Sequence, residues 1–513
     1  MRFTKKHLMI LLFTVLFVCL AVTIISCGEK TDSGSGDSGN ANPTEAKQDA
    51  DSEDTPTEPE EIPVEIYEYP EMDGGEADFK FYNVPVNVWF YYTDLVFDES
   101  PADILDDAVH KRNKLIEEKF NINLKEINFP GSDMWEYNNN VRKITRSDMD
   151  EYDAIFMPAS FNGTVGAMLT EGLFYDMRKI PTMNLDEDWW NQMMLKEAAI
   201  GTKDKIFYAG SSINIMTLQA VSCVYFNQDM MASLQLDLPY KAVKEGKWTF
   251  DLFYKYIKDG TNLNGATDFT WEPSGSAIYG LTGYEDSSTA LLAGSGEQFI
   301  TTADGNPVFA GGERERFISA LTKIGTMLNP DNGNYLYANN ESAGFHYEPI
   351  FMNGRALMTI GELKAANRFR DMDATFGILP IPKYEEYQPY YSHLFNQTPV
   401  LVIPVTVPEA RIEFTGAVLD ALAYVSNKDV TPVLFDVSVS QKQLRNDDSI
   451  DMLQIIKNSG SFEIGIAYGW TNPLYDVIRN KLGKGEPMDI VSEIEKTNDK
   501  INTAIQKTMD SFD

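Results

Sequence analysis

The residue types that could make or break bonds are unevenly supplied in this chain. There are 77 Asp and Glu but only 4 His, three of which, His110, His346 and His393, fall in the globular sequence. The sequence has no Ser-His-Asp phrase, no HExxH and no glycine-rich phosphate loop. Paired carboxylates could hydrolyse a glycosidic bond, but that depends on their separation, which the sequence does not give. Asp331-Asn332-Gly333-Asn334 reads as a turn, because the ligand pattern of a twelve-residue calcium loop is not completed. No metal or cofactor is expected. What recurs is an aromatic ring beside a carboxylate or amide. It occurs at Trp89 to Asp94 (WFYYTD), Ala159 to Asn162 (ASFN), Gly283 to Asp286 (GYED) and Gly469 to Asn472 (GWTN), and Gly361 to Leu363 (GEL) adds a carboxylate. Flat rings cover the C–H faces of a polyhydroxylated solute, while carboxylates and amides hold its hydroxyl rim. These residue types suit recognition without reaction. For each ring alone a packing role is an equal alternative.

The elements that must position these loops begin after a leader. Arg2, Lys5 and Lys6 precede a charge-free, mostly apolar run from Leu8 to Ile25, which leads into Ser26-Cys27-Gly28. This reads as a secretory signal over residues 1–26. A small residue before a cysteine, then glycine and a polar tract, resembles a bacterial lipoprotein processing site, which implies lipidation of Cys27. Two acyl chains on that cysteine would hold the protein on a membrane where one would not. From Gly28 to Glu65 there are 12 acidic residues against 2 lysines and no aromatic residue, the composition of an extended tether. The tether is assigned to 27–77, and globular sequence is expected from Asp78. Cys19 leaves with the signal, so Cys223, between Val221 and Val224, has no disulfide partner and is expected in the core.

The net charge is −34 over 513 residues; without the leader, 40 Lys and Arg face 77 Asp and Glu, giving −37. Such acidity makes nucleic acid an improbable partner. With 43% hydrophobic and 12% aromatic residues, the chain can bury more than one core.

Strand and helix patterns alternate from Asp78. Asp78–Val84, Asn123–Ile127 and Tyr152–Met157 read as strands, with helices over Asp103–Phe120 and Trp135–Ser147 between them. Ile104, Ala108, Leu115 and Phe120 are expected on the inner face of the first helix, with Arg112 on the outer face. Ile206–Ala209, Ala220–Phe226, Ala356–Ile360, Phe376–Ile381 and Pro399–Val405 read as further strands. Trp248–Lys258, Gly311–Leu328, Ile412–Ser426 and Met488–Met509 read as helices. The alternation predicts βαβ units and open parallel sheets in two interleaved α/β units.

Six phrases in order resemble one family. They are DILDDAVHKRNKLIEEKFNINLK (Asp103–Lys125), YDAIFMPASFNGTVGAMLTEGLFYDMRKI (Tyr152–Ile180), VYFNQDM (Val224–Met230), GKWTFD (Gly246–Asp251), FMNGRALMTIG (Phe351–Gly361) and FGILPIPK (Phe376–Lys383). They are similar to the bacterial extracellular solute-binding proteins of family 1, the maltose-binding-protein-like sugar-binding lipoproteins of ABC transporters. The resemblance spans nearly all of Asp78–Gln506. It implies a periplasmic-binding-protein-like type II fold, two α/β lobes joined by a hinge with the ligand cleft between them. The lobes would comprise 78–215 plus 395–430, and 216–394 plus 431–513. Crossings are expected near Ile215–Gln219, Phe395–Leu401 and Asn427–Asp436.

In such a fold, loops after strands face the cleft. The expected ligand-binding set is Trp89, Tyr91, Tyr92, Asp94, Ser160, Phe161, Asn162, Gln219, Tyr284, Glu285, Asp286, Glu362, Trp470 and Asn472. Trp189, Trp190 and Trp248 are expected to pack in the core. The turn at Gly361–Leu363 departs from the family, with Glu362 and Leu363 where sugar binders often offer an aromatic ring. The resemblance implies no enzymatic activity. It implies a monomer, tethered outside the cytoplasm, that passes a carbohydrate to the permease of an ABC importer. A sensory receptor of the same fold and a surface glycoside hydrolase are the competing readings.

Overall fold

In the computed structural model the described residues are 67–83, 104–131, 133–160, 163–200, 205–303, 306–309, 311–340, 345–394, 399–434 and 447–512. They fall within one compact unit, Ile66–Asp513.

Two sheets organise this unit. The first contains β1 (Ala77–Asn83), β2 (Ile122–Asn128) and β3 (Ala154–Pro158), with β1 parallel to both of its neighbours. Helix α1 (Ile104–Phe120) connects β1 to β2, and α2 (Met134–Arg146) connects β2 to β3. These are the βαβ units that the alternating pattern predicts, and the all-buried AIFMP of β3 is what a central strand covered on both faces requires. Helix α3 (Thr164–Thr170) follows β3.

The second sheet has β4 (Ser222–Asn227) and β5 (Tyr279–Gly283), with α4 (Phe250–Asp259) between them. After β5 come α5 (Ser287–Gly294), α6 (Glu315–Met327) and β6 (Tyr335–Tyr337), then β7 (Ala356–Glu362) and β8 (Phe376–Leu379). The strand order is β8-β4-β7-β5-β6. Strands β7, β5 and β6 run parallel, while β4 is antiparallel to both β7 and β8. The chain then returns to the first sheet as β9 (Pro399–Val402), antiparallel to β3. Both sheets are therefore mixed rather than wholly parallel. The strands by which the chain enters the second sheet and re-enters the first run against their neighbours, whereas helix-connected neighbours run parallel. The later helices are α7 (Glu409–Val425), α8 (Asn472–Asn480) and α9 (Ile490–Met509).

Several sequence expectations shift. Packed chain begins ahead of Asp78, since the Tyr67 hydroxyl donates to Asp420 at 3.2 Å and its ring stacks on Tyr424 at 4.4 Å. The inner face of α1 is Leu105, Val109, Arg112, Asn113, Ile116 and Phe120, leaving Ile104 61% exposed. Arg112 is turned inward because its guanidinium finds buried acceptors, the Ile213 carbonyl at 3.0 Å and the Ser426 hydroxyl at 2.9 Å. Ile206–Ala209 forms no strand. It makes only the single bridge Ala209–Leu401, beside Ile200–Lys205 just before it. Asp331–Gly333 is a helical turn with Asn332 at φ 59°. Cys223 is fully buried.

Of the tryptophans expected in the core, Trp190 and Trp248 are buried while Trp189 is partly buried against it, and all three are held by specific bonds. The Trp189 and Trp190 indoles both donate to Asp420, at 3.0 and 2.8 Å. Trp248 donates to the Pro380 carbonyl at 2.8 Å.

Candidate ligand site

The three parallel strands of the second sheet end on the same edge, and polar side chains gather there. Strand β5 ends in Gly283, where an added Cβ would lie 2.3 Å from Ser287 Oγ. That hydroxyl accepts the Tyr284 N–H at 3.1 Å and so fixes the turn that presents Tyr284, Glu285 and Asp286. Strand β6 ends in Tyr337 and leads to Asn339. Strand β7 ends in Glu362 and leads to Leu363 and Lys364. In an α/β sheet this carboxyl edge is where a ligand finds loop side chains and free backbone groups.

Each carboxylate on the edge has a partner. Glu285 accepts from Asn339 Nδ2 at 2.7 Å and from the Tyr337 hydroxyl at 3.4 Å. Asp286 is clasped by the Arg479 guanidinium of α8, which also reaches Glu285 at 4.0 Å. Glu362 pairs with Lys364 at 2.5 Å. Behind them the buried Glu348 is gripped by both arms of Arg368 and accepts the Tyr347 hydroxyl at 3.2 Å. Tyr347 is buried and stacks face to face on the half-buried Tyr284, with centroids 5.0 Å apart at 14°.

These groups share one electrostatic field. Burial raises the Glu362 carboxyl above its usual range, Lys364 opposes that rise, and Asp286 adds to it. Burial lowers the Lys364 ammonium, and its partner Glu362 opposes this. The Tyr284 phenol is pushed well up by burial, then by Glu362, Tyr347 and Asp286. The site thus combines a stacked tyrosine pair with carboxylates whose charge is largely compensated. That equipment suits hydrogen bonding to hydroxyls and contact with flat C–H surface.

The structure brings Tyr284, Glu285, Asp286 and Glu362 together, and Gln219 ends the helical turn Met216–Gln219, which lies against the Leu363–Ala365 turn. Ser160 stands at the carboxyl end of β3 in the first sheet, half-buried. Asn472 opens α8, whose next turns carry Tyr475 and Arg479 to Asp286. Trp470 is 2% exposed, its indole donating to Thr508 of α9 at 2.8 Å and its ring stacked on Tyr468 at 4.7 Å. Trp89, Tyr91, Tyr92, Asp94, Phe161 and Asn162 lie outside the described residues, as does Cys27.

Sequence reasoning did not single out Lys364, Tyr347, Tyr475 or Arg479. The spacing of Tyr475 and Arg479, four residues apart on one helix face, was an available signal. So was a lysine two residues after a strand-end glutamate.

The first sheet meets this region through α3. An added Cβ on Gly163 would stand 2.6 Å from Gly469 Cα, and one on Gly166 would stand 2.5 Å from Tyr468 Cα. Backbone of α3 therefore seats directly on the segment that starts α8. Among the described residues no group of three or more His, Cys, Asp or Glu is placed to hold a metal ion.

No protein-family model matches the chain, and no curated protein matches it in sequence. Solved structures do match in fold. The chain is similar to the cyclic alpha-maltosyl-1,6-maltose binding protein from Arthrobacter globiformis, with 12% identity and a TM-score of 0.55 over 84% of this chain and 100% of that one. An ABC substrate-binding protein from Listeria monocytogenes in complex with cycloalternan matches at 12% identity and a TM-score of 0.53, over 84% of this chain and 99% of that one. UgpB from Mycobacterium tuberculosis in complex with glycerophosphocholine matches at 12% identity and a TM-score of 0.52, over 78% of this chain and 95% of that one. The fold is the α/β, periplasmic-binding-protein-like type II fold, with two lobes and a cleft between them.

Proposed function

We propose that this chain is a solute-binding protein that captures a neutral carbohydrate in its interlobe cleft and hands it to an ABC importer. The observation that carries the reading is the stacked Tyr284–Tyr347 pair beside Glu285, Asp286 and Glu362 at the carboxyl edge of three parallel strands. Two structural neighbours bind cyclic sugars, which supports this class of ligand. The third binds a phosphodiester with a quaternary amine. Here Arg479 serves both Asp286 and Glu285, Lys364 serves Glu362 and Arg368 serves Glu348, so three cations face four carboxylates and most of the edge's charge is balanced. A neutral polyhydroxylated solute uses such pairs as fixed acceptors and donors without having to compensate them.

The remaining parts of the reading rest on sequence. The apolar leader ending at Cys27 and the acidic tract after it support a lipid-anchored protein outside the cytoplasm. Ligand bridging the lobes would favour a closed form by its extra contacts there, and the closed form is what a permease would read.

A thermal-shift series on the chain from Gly28 onward tests this. The probes are cycloalternan, maltotetraose and simple monosaccharides, with glycerophosphocholine, amino acids, short peptides and polyamines as comparisons. A ligand that binds only the folded form raises the melting temperature with concentration. A shift with a sugar that is recovered unhydrolysed is the expected result. A shift with glycerophosphocholine alone would move the ligand class, and sugar cleavage would make the protein a hydrolase.

A further inference from the structure

The turn after β7 contains no aromatic ring. Leu363 points into the core at 4% exposure, and the side chains offered beside it are Glu362 and Lys364, an ion pair 15% and 8% exposed. A wall of this kind reads hydroxyls by hydrogen bonds, not by stacking. A carboxylate accepts and an ammonium donates, so a pair 2.5 Å apart matches two adjacent hydroxyls in opposite senses. Its selectivity depends on the backbone beneath, because misplacing such groups by about 1 Å forfeits the second bond.

That backbone is held by one phenol. Tyr225 lies on β4, opposite Thr359 of β7, and is fully buried. Its hydroxyl donates to the Leu363 carbonyl at 2.8 Å, with the Glu362 carbonyl at 3.0 Å sharing the proton. The same oxygen accepts the Ala366 N–H at 3.1 Å. The ring cannot swing away, since Phe369 packs edge-on at 4.8 Å and Phe376 at 6.0 Å. One side chain from the neighbouring strand therefore gathers three backbone groups of the turn.

We propose that Tyr225 is the positioning residue of this wall, and that the wall it sets recognises a pair of adjacent hydroxyls on a neutral sugar through Glu362 and Lys364. The second half of this inference rests on the carbohydrate reading of the cleft. Tyr225 itself touches no ligand.

The test compares Tyr225→Phe with Tyr279→Phe. Tyr279 is another buried strand tyrosine, whose hydroxyl donates to the Phe269 carbonyl at 2.9 Å, at the opposite end of β5. Tyr279→Phe loses one buried phenol bond and Tyr225→Phe loses the bonds to Leu363, Glu362 and Ala366, so both lower the melting temperature. Amide exchange at Ala366 in the ligand-free protein is expected to quicken about tenfold in Tyr225→Phe and to stay unchanged in Tyr279→Phe. Affinity for maltotetraose or cycloalternan, by calorimetry, is expected to fall about tenfold in Tyr225→Phe alone. Unchanged exchange at Ala366 overturns the positioning role. Quickened exchange with affinity no lower than in Tyr279→Phe overturns its bearing on the ligand. A wild-type protein that binds none of the sugars defeats the carbohydrate reading and the hydroxyl-pair half with it, while the exchange result still decides what Tyr225 holds.

Discussion

Glu463 should make the stability of this protein fall as pH rises from about 4.5 to about 7. It lies 3% exposed between the short strand Gly460–Ser461 and the helical turn Ile464–Ala467. Its carboxylate oxygens accept the backbone N–H groups of Phe299 at 2.7 Å, Gly465 at 2.9 Å and Ile300 at 3.3 Å. Burial nevertheless lifts its pKa from 4.5 to about 7, against the pull of those three donors and with a push from the Glu197 carboxylate. Between these values the folded state keeps a proton that the unfolded state gives up. Stability from this group is therefore fully present below about 4.5 and lost as pH climbs to about 7. The loss runs at about 1.4 kcal/mol per pH unit, or about 3 kcal/mol in all. His393 acts in the opposite sense, because burial lowers it from 6.5 to about 3 and charging it below 6.5 favours unfolding. The two slopes overlap, so the wild-type curve alone does not isolate either. The difference between wild type and Glu463→Gln does. Gln places an N–H₂ near one of the backbone donors and costs a constant amount, while the pH-dependent part belongs to the carboxyl. Urea denaturation followed by tryptophan fluorescence at half-unit steps from pH 4 to 8 should show the stability advantage of wild type shrinking by about 3 kcal/mol. A difference that stays constant across that range would mean that Glu463 is ionised throughout, and the burial argument would fail.

Three further outcomes follow from single contacts. Asp420 accepts from Tyr67, from both the backbone and side-chain nitrogens of Asn184, and from the Trp189 and Trp190 indoles. Asp420→Ala strands these donors and should cost about 4 kcal/mol in chemical denaturation, with a change in native tryptophan emission. Gly280→Ala places a Cβ 1.9 Å from the Ile257 carbonyl, where α4 crosses β5, and should cost about 3 kcal/mol in the same experiment. Tyr284→Ala removes the open member of the stacked pair. It should lower affinity for the bound sugar about tenfold in calorimetry, and the lost stacking on Tyr347 should also lower the melting temperature of the free protein.

Local pattern made much of the fold legible. The run YDAIFM could hardly be anything but an inner strand, and the strand-helix-strand order from Asp78 to Met157 is the order found. Errors arose where a distant residue decided the outcome. Arg112 looked like solvent-facing charge until Ile213 and Ser426 supplied acceptors inside. The segment Ile206–Ala209 had strand composition, but it meets the edge strand β9 through one bridge, Ala209–Leu401, and builds no ladder.

The candidate site shows the same division in sharper form. Tyr284, Glu285, Asp286 and Glu362 could be named because strand ends are local features and the carboxyl edge of a parallel sheet is a general place for ligand. In a chain with 77 acidic residues, though, a carboxylate at a strand end says little about charge at the site. What fixes that charge is the cation folded beside it. Lys364 is two residues from Glu362, but Arg479 is 193 residues from Asp286 and reaches it only because α8 packs against α5. Had α8 delivered an apolar residue there, Asp286 would face burial uncompensated and the edge would favour a cationic solute. The inference of a neutral ligand therefore comes from tertiary pairing rather than from the list of site residues. Arg479→Met should accordingly weaken neutral-sugar binding while improving binding of an amine-bearing analogue such as glucosamine, a crossover that calorimetry on the two ligands would reveal.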